Sequence, residues 1–296
     1  MAGFAAAALP AAAEVQNYII PLLTFPNAKL NLGLYITARR PDGFHTLESV
    51  FVPLPWTDAL EVLPAPAGQS ETTLTLTGRP IPGDPETNLC RKAYELLKAD
   101  FNLPPAQMHL HKVVPIGAGL GGGSADAAFA LAALNRLFAL NLSLVELLNY
   151  ARRLGSDCAF FLENKSVLAV GKGDEFEPIE LDLAGTAAVV IYPDLHISTA
   201  EAYAAIMPSQ PRHELRAALA APMRTWRATV SNDFEEALTP HYPVLADVKK
   251  RLYDAGATYA SLSGSGSAVY GLWPGQPQAP EVAAEPEWLV WRGSLV

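Results

Sequence analysis

Cysteine is nearly missing from this 296-residue chain. Cys90 and Cys158 stand far apart, with no CxxC pair and no Cys/His cluster, which argues against a structural zinc site. Two reduced, buried thiols in a cytoplasmic protein are a simpler reading than a single disulfide. Charge is sparse too: 17% of residues are charged, the formal net charge is −9, and no Lys/Arg cluster breaks that balance. A nucleic-acid partner is therefore not expected, because such a binder needs a basic face to meet phosphates. No stretch approaches the roughly 20 apolar residues of a membrane span, so no membrane partner is expected either. The small, apolar start MAGFAAAALPAAAEV has no Lys or Arg ahead of it, as a secretory signal would. Residues 1–16 read as a loosely ordered extension or an over-extended translation start.

What the chain has in quantity is apolar material: half of its residues, enough for a substantial core. Its length suits one large domain or two ordinary ones. From Tyr18 to Leu63, apolar and β-branched runs broken by Phe25-Pro26-Asn27 and Arg40-Pro41-Asp42-Gly43 predict strands joined by hairpins. Ser70–Thr77 and Met108–Val114 are further strand candidates. The spacing of Leu89, Ala93, Leu96 and Leu97 predicts a helix over Asn88–Phe101. The Ala/Leu-rich Ser124–Leu140 predicts a second. A third opens at Ser143 with a capping box to Glu146 and stops at Gly155. After Lys165 strands alternate with helices. Strands are expected at Val167–Val170, Ala187–Tyr192, Thr258–Ser261, Ala268–Leu272 and Trp288–Trp291. Helices are expected at Thr199–Ile206, His213–Ala220, Asp233–Leu238 and Val244–Ala255, with Pro274–Pro286 a surface connection. The expectation is an α+β protein of two domains, 17–164 and 165–296.

One segment stands out chemically: Pro115–Ala128, PIGAGLGGGSADAA. Five of the seven residues Gly117–Gly123 are glycine. Such a run costs backbone entropy and adds no packing, so it suits a place where backbone must approach a ligand or take φ > 0. The helix beginning near Ser124 supplies free N–H groups and a dipole that favours an anion. A flexible linker is the bland alternative, but the run is short and lies between a strand and a strong helix. Gly117, Gly119 and Gly122 match the dinucleotide fingerprint, yet the acidic residue that should follow about 20 positions on is absent. The Walker lysine is absent as well, since the loop ends Gly123-Ser124.

The pattern Pro-x-Gly-x-Gly-Leu-Gly-Gly-Gly-Ser resembles the second motif of the GHMP kinase superfamily. Pro26-Asn27-Ala28-Lys29-Leu30-Asn31-Leu32, Arg40-Pro41-Asp42-Gly43-Phe44-His45-Thr46-Leu47, Leu154-Gly155-Ser156-Asp157, Asn232-Asp233-Phe234-Glu235 and Ser263-Gly264-Ser265-Gly266-Ser267 extend the likeness. It runs from about Phe25 to Leu272. The AKLNL and RPDGFH segments are similar to the branch that phosphorylates the 2-hydroxyl of a cytidyl diphosphate sugar alcohol, in the non-mevalonate route to isoprenoid precursors. The resemblance implies a two-domain fold: an N-terminal nucleotide domain like ribosomal protein S5 domain 2, and a C-terminal ferredoxin-like α/β sandwich.

It also implies roles. Asp157 would accept or orient the proton of the substrate hydroxyl, with Lys29 the cation beside it and the transferring phosphate. ATP would be held by Pro115, Gly117, Gly119, Leu120, Gly121, Gly122, Gly123 and Ser124, with Lys112 near the nucleotide and Ser124 a candidate to reach Mg²⁺. The alcohol substrate would meet Asn31, Phe44, His45, Thr199, Ser263, Gly264, Ser265 and Gly266. Of these, Phe44 would stack on the cytosine, where many members carry tyrosine, and His45 would hold its polar edge. Read alone, Asp157 could cap a turn, Lys29 could be a solvated strand residue, Ser263–Ser267 could be a plain hairpin turn, and Thr199 and Asn232 could cap helices. The expected enzyme is thus an ATP-dependent, Mg²⁺-using kinase of a small molecule, cytoplasmic, monomeric or homodimeric. Rival readings are a homoserine or mevalonate-type kinase, which needs no aromatic-His pair; an inactive binding module of the same fold; and, remotely, an NAD-dependent oxidoreductase.

Overall fold

The reason residues 27–39 form a strand whose ten first residues are all buried is that both faces are covered. Ala28, Leu30 and Leu32 point into one apolar core, while Lys29 and Asn31, on the opposite face by the period of two, turn toward the glycine loop. The computed structural model describes residues 22–211 and 213–296; the expected N-terminal extension lies outside them. Its strands are β1 (Leu22–Thr24), β2 (Asn27–Arg39), β3 (His45–Thr57), β4 (Ala59–Pro64), β5 (Thr73–Gly78), β6 (Ala106–Lys112), β7 (Val167–Val170), β8 (Glu175–Pro178), β9 (Ala187–Tyr192), β10 (Tyr259–Leu262), β11 (Val269–Trp273) and β12 (Leu289–Ser294). Its helices are α1 (Leu89–Phe101), α2 (Gly122–Leu137), α3 (Leu144–Leu154), α4 (Phe160–Glu163), α5 (Thr199–Ala204), α6 (Leu215–Ala220), α7 (Trp226–Thr229), α8 (Asp233–Leu238) and α9 (Pro243–Asp254).

Three four-stranded sheets result, ordered β1-β4-β6-β5, β2-β3-β7-β8 and β10-β11-β9-β12. In the first, β5 runs parallel to β6 and the other pairs are antiparallel. Leu60, Val62, Met108 and Leu110 on its inner face pack against Ala93 and Leu97 of α1 and Leu131 of α2. The second sheet is built on the long β2–β3 hairpin, whose last pair is Arg39 with His45. Its Leu30 and Val52 share a core with Val190 and Tyr270 of the third sheet. The third sheet's other face buries Val189 and Ile191 against Val248 and Leu252 of α9 and Phe234 of α8. Burial on both faces is why Ala187–Tyr192 reads as an unbroken apolar run rather than an alternating one. The layered mixture is α+β, as expected.

The first two strands after residue 165, β7 and β8, join the sheet of β2 and β3. Strand β8 had no counterpart in the sequence reading, because Glu-Phe-Glu-Pro offers one apolar side chain and pairs at an exposed edge. Helix α3 and its Ser143–Glu146 capping box appear as expected. Helix α2 starts at Gly122, two residues earlier than Ser124, with Gly121 at φ +71° as its N-cap, so glycine amides rather than serine's open the helix. Among the described residues no helix is long and apolar enough to cross a membrane. Both cysteines are buried and unpaired.

Candidate active site

Two elements bring Lys29 and Asp157 to one place. Strand β2 carries Lys29. The tight turns after α3, where Gly155 and Asp157 carbonyls accept the amides of Cys158 and Phe160, present Asp157. Lys29 Nζ lies 3.5 Å from Asp157 Oδ2. The same ammonium donates to Asn31 Oδ1 and sits 4.6 Å from the centroid of the Phe51 ring. Asn31 is held in turn by donating to Ser49 Oγ at 2.8 Å. Burial pushes the Lys29 ammonium below the ordinary lysine range, and the neighbouring Asp157 carboxylate works against that.

The glycine loop closes the opposite wall, and its geometry explains its composition. Three successive carbonyls are turned away from the cavity: Ala118 O accepts from Ala268 N at 3.1 Å, Gly119 O from Ser263 Oγ at 2.9 Å, and Leu120 O from Lys29 N at 2.9 Å. Among the described residues the amides of Gly117 to Gly121 donate to no protein group. A run of free amides beside the positive end of a 16-residue helix is an arrangement that suits an anion. At the glycines of the run a side chain would crowd its neighbours. A Cβ on Gly119, at φ +75°, would stand 1.9 Å from the Ser263 carbonyl oxygen.

Gly117, Gly119, Gly121 and Ser124 line a cavity of about 290 Å³ together with Lys29, Asn31, Asp157, Thr199, Gly264 and Ser265. An outer cavity of about 550 Å³ continues from it, sharing Ser156, Lys172, Thr199 and Tyr203, and adding Phe44, His45 and Arg152. The β2–β3 turn offers Phe44, 58% exposed, at its tip, where Asp42 Oδ1 accepts the Phe44 amide. His45 stacks on Tyr203 with ring centroids 4.8 Å apart, and Lys172 Nζ lies 5.0 Å from the Phe44 centroid. A third cavity, about 180 Å³, opens on the other side of the start of α2, between Ile116, Gly123 and the loop from Ile81 to Leu89.

The remaining expected site residues sit behind these walls. Pro115 and Gly122 are buried. The Leu120 and Ser263 side chains are buried: the leucine side chain packs in the core while its amide stays in the loop's free run, and the serine hydroxyl ties the Ser263–Ser267 turn to the glycine loop. Gly266 packs near Leu262 and lines none of the three cavities. Asn232 caps α8 by accepting the Phe234 amide and also donates to the Leu262 and Gly264 carbonyls, fixing that turn from behind. Thr199 lines two cavities, while Ser198 is the residue that caps α5. Lys112 is 1% exposed, with Nζ 2.5 Å from Asp58 Oδ2 and 2.6 Å from Asp126 Oδ2. Its charge is therefore committed to two carboxylates at the wall of the third cavity rather than free for a ligand. Burial pushes the Asp126 carboxyl up to about 7.

Tyr203, Lys172 and the loop from Ile81 to Leu89 escaped the sequence reading. Tyr203 had a signal, since it lies four residues after Thr199 and shares its helix face. Lys172 had none, being a lone cation in the turn between β7 and β8. For a metal, no group of three or more His, Cys, Asp or Glu side chains converges among the described residues. Asp157 is the one carboxylate lining the central cavity, beside the neutral oxygens of Asn31, Ser124, Ser156, Thr199, Tyr203 and Ser265. That set suits a magnesium ion carried in by phosphates and keeping much of its water, not a resident one.

Two family models match the chain, the GHMP kinases N terminal domain over residues 88–165 and the GHMP kinases C terminal over residues 212–286. A 4-diphosphocytidyl-2-C-methyl-D-erythritol kinase of Bacteroides fragilis is 49% identical over 252 residues, 85% of this chain and 92% of its own length. One from Cytophaga hutchinsonii is 46% identical over 258 residues, 87% and 94% of the two chains. Among solved structures, a 4-(cytidine 5'-diphospho)-2C-methyl-D-erythritol kinase superposes with a TM-score of 0.73 at 34% identity, covering 86% of this chain and 91% of that one. A homoserine kinase from Cytophaga hutchinsonii, at 18% identity and a TM-score of 0.63, shares the fold alone, over 96% of this chain and 98% of that one.

Proposed function

The chain belongs to the GHMP kinases, among the 4-diphosphocytidyl-2-C-methyl-D-erythritol kinases, and on that premise we propose that it transfers the γ-phosphoryl group of ATP to the 2-hydroxyl of 4-diphosphocytidyl-2-C-methyl-D-erythritol. The observation that carries the reading is the pairing of Lys29 with Asp157 across one cavity from the free amides of the glycine loop. A hydroxyl placed beside Asp157 passes its proton toward that carboxylate as its oxygen bonds to Pγ. The bond from Pγ to the β,γ-bridging oxygen breaks, and ADP leaves. The loop amides, Ser124 and the start of α2 hold the phosphates, and Lys29 offsets their charge. Phosphate oxygens entering the cavity favour the charged form of Lys29 against its burial. Ser124 and Asp157 would help hold a magnesium ion brought in with the nucleotide, and the ion would supply screening of the phosphate charge.

The outer cavity takes the cytidyl end. Phe44 and Tyr203 offer aromatic faces, His45 offers ring nitrogens, and Lys172 lies between the base and the reacting centre, on the path of the diphosphate. The third cavity takes the adenosine. We place the protein in the cytoplasm, where ATP is available, acting in the non-mevalonate route to isoprenoid precursors. The deciding experiment is a coupled ADP-release assay with the cytidyl substrate, homoserine and mevalonate. Turnover on the cytidyl substrate alone is expected. Preference for either other alcohol overturns the substrate assignment, and protection against unfolding by NAD but not by ATP overturns the kinase reading.

A further inference from the structure

The glycine loop poses a physical problem. Residues 115–125 hold five glycines, and a segment that free would have to be ordered by the nucleotide itself, at the cost of affinity. The structure contains a device at both of its ends. At the entry, Asp58 Oδ1 accepts the amides of Val113 at 2.5 Å and Val114 at 2.9 Å, while its Oδ2 meets Lys112 Nζ at 2.5 Å. At the exit, Asp126 in the second turn of α2 meets the same ammonium at 2.6 Å. Gly122, the first residue of that helix, is so close that a Cβ on it would lie 3.0 Å from Lys112 Nζ. All three charged side chains are almost wholly buried, at 1%, 1% and 3% exposure for Lys112, Asp58 and Asp126.

We propose that Lys112 is a positioning residue, a buried staple that fastens the entry of the glycine loop, by an ion pair to Asp58, to its exit, by a hydrogen bond to Asp126, so that the loop amides stand ready for phosphate before a nucleotide arrives. A cation beside the first residue of a helix opposes the dipole, so its presence there alone stabilises nothing; its bonds to Asp58 and Asp126 offset that. Buried ion pairs are weak sources of net stability, but they fix geometry, and geometry is what a backbone anion site requires. The staple rests on the kinase reading for its purpose, not for its existence.

The test uses the full chain with Asp126→Ala, which cuts the exit tie, Asp126→Asn, which keeps an acceptor for Lys112, and Asp58→Asn, which keeps the acceptor for the Val113 and Val114 amides. Hydrogen exchange of the 115–125 segment in the free protein reads the staple whatever the substrate. Exchange there should rise at least tenfold in Asp126→Ala and return toward wild type in Asp126→Asn. With ATP, KM for the nucleotide should rise about tenfold or more in Asp126→Ala and Asp58→Asn, with KM for the alcohol within twofold. Unchanged loop exchange in the folded Asp126→Ala protein overturns the proposal. Equal rises in both KM values, or failure of Asp126→Asn to fold, also overturn it, since the tie would then hold the domain and not the loop. A wild-type protein that binds no ATP would sink the kinase reading and leave the exchange result to judge the staple.

Discussion

Lys29 and Asp157 form an unequal pair: the lysine side chain is 5% exposed and the aspartate 27%, with 3.5 Å between Nζ and Oδ2. The carboxylate faces the cavity from which a hydroxyl must come, and the ammonium backs it from inside the protein. In the proposed reaction the aspartate accepts the proton and the lysine is its charge partner.

Asp157→Asn should keep the shape and lose the acceptor. Turnover should fall by roughly 10²–10⁴, the usual contribution of a placed general base, while ATP binding measured by calorimetry stays within a few-fold of wild type. A variant that turns over at the wild-type rate removes Asp157 from its role.

His45 and Tyr203 stack at the outer cavity, which none of the loop glycines lines. His45→Ala and Tyr203→Ala should therefore raise KM for the cytidyl substrate at least tenfold and leave KM for ATP nearly unchanged. Steady-state kinetics with each substrate varied in turn decides it. Equal effects on the two KM values would mean that the base does not bind there.

The two pairs differ in how far the sequence revealed them. Lys29 and Asp157 were legible through the motifs around each, as was the glycine loop, because the loop's chemistry is local: glycine spacing and a helix start. The strands were legible where one face is apolar or both are, as in Ala187–Tyr192. Tyr203 and Lys172 were not, since what recruits them is the approach of α5 and the β7–β8 turn to the β2–β3 hairpin, a tertiary relation. Lys112 is the converse case. Its position beside the loop was readable, but its two carboxylate partners come from Asp58, 54 residues before it, and Asp126, 14 after. No local pattern records that pairing.

Two glycines of the loop make a matched test of its geometry. Gly119→Ala meets both a left-handed backbone, φ +75°, and a 1.9 Å approach to the Ser263 carbonyl. It should displace the loop and raise KM for ATP by tenfold or more. Gly123 has a helical backbone and open space around its Cβ position, so alanine there should stabilise the free protein by up to about 1 kcal/mol. Because Gly123 lines the third cavity, the same methyl should weaken ATP binding. Thermal melts with and without ATP separate the two effects; a stabilised Gly123→Ala protein with normal ATP affinity would place the adenosine elsewhere.

Asp126 gives the protein a pH dependence with a definite sign. Burial pushes its carboxyl up to about 7 from 3.8, with Asp58 adding to the rise and Lys112 opposing it. Its Oδ1 is buried without a donor, and a proton there lets it donate to Asp58 instead. Between about pH 4 and 7 the unfolded chain has released this proton while the folded one keeps it. Folding then takes up a proton, so this group's contribution to stability is complete below pH 4 and is lost as pH rises through 7. The loss is on the order of a few kcal/mol. Asp126→Asn cannot titrate. The difference between wild type and Asp126→Asn in urea unfolding free energy should therefore shift against the wild type from about pH 5 to pH 8. A difference that stays flat over that range would mean that Asp126 is ionised throughout, held so by Lys112 despite its burial.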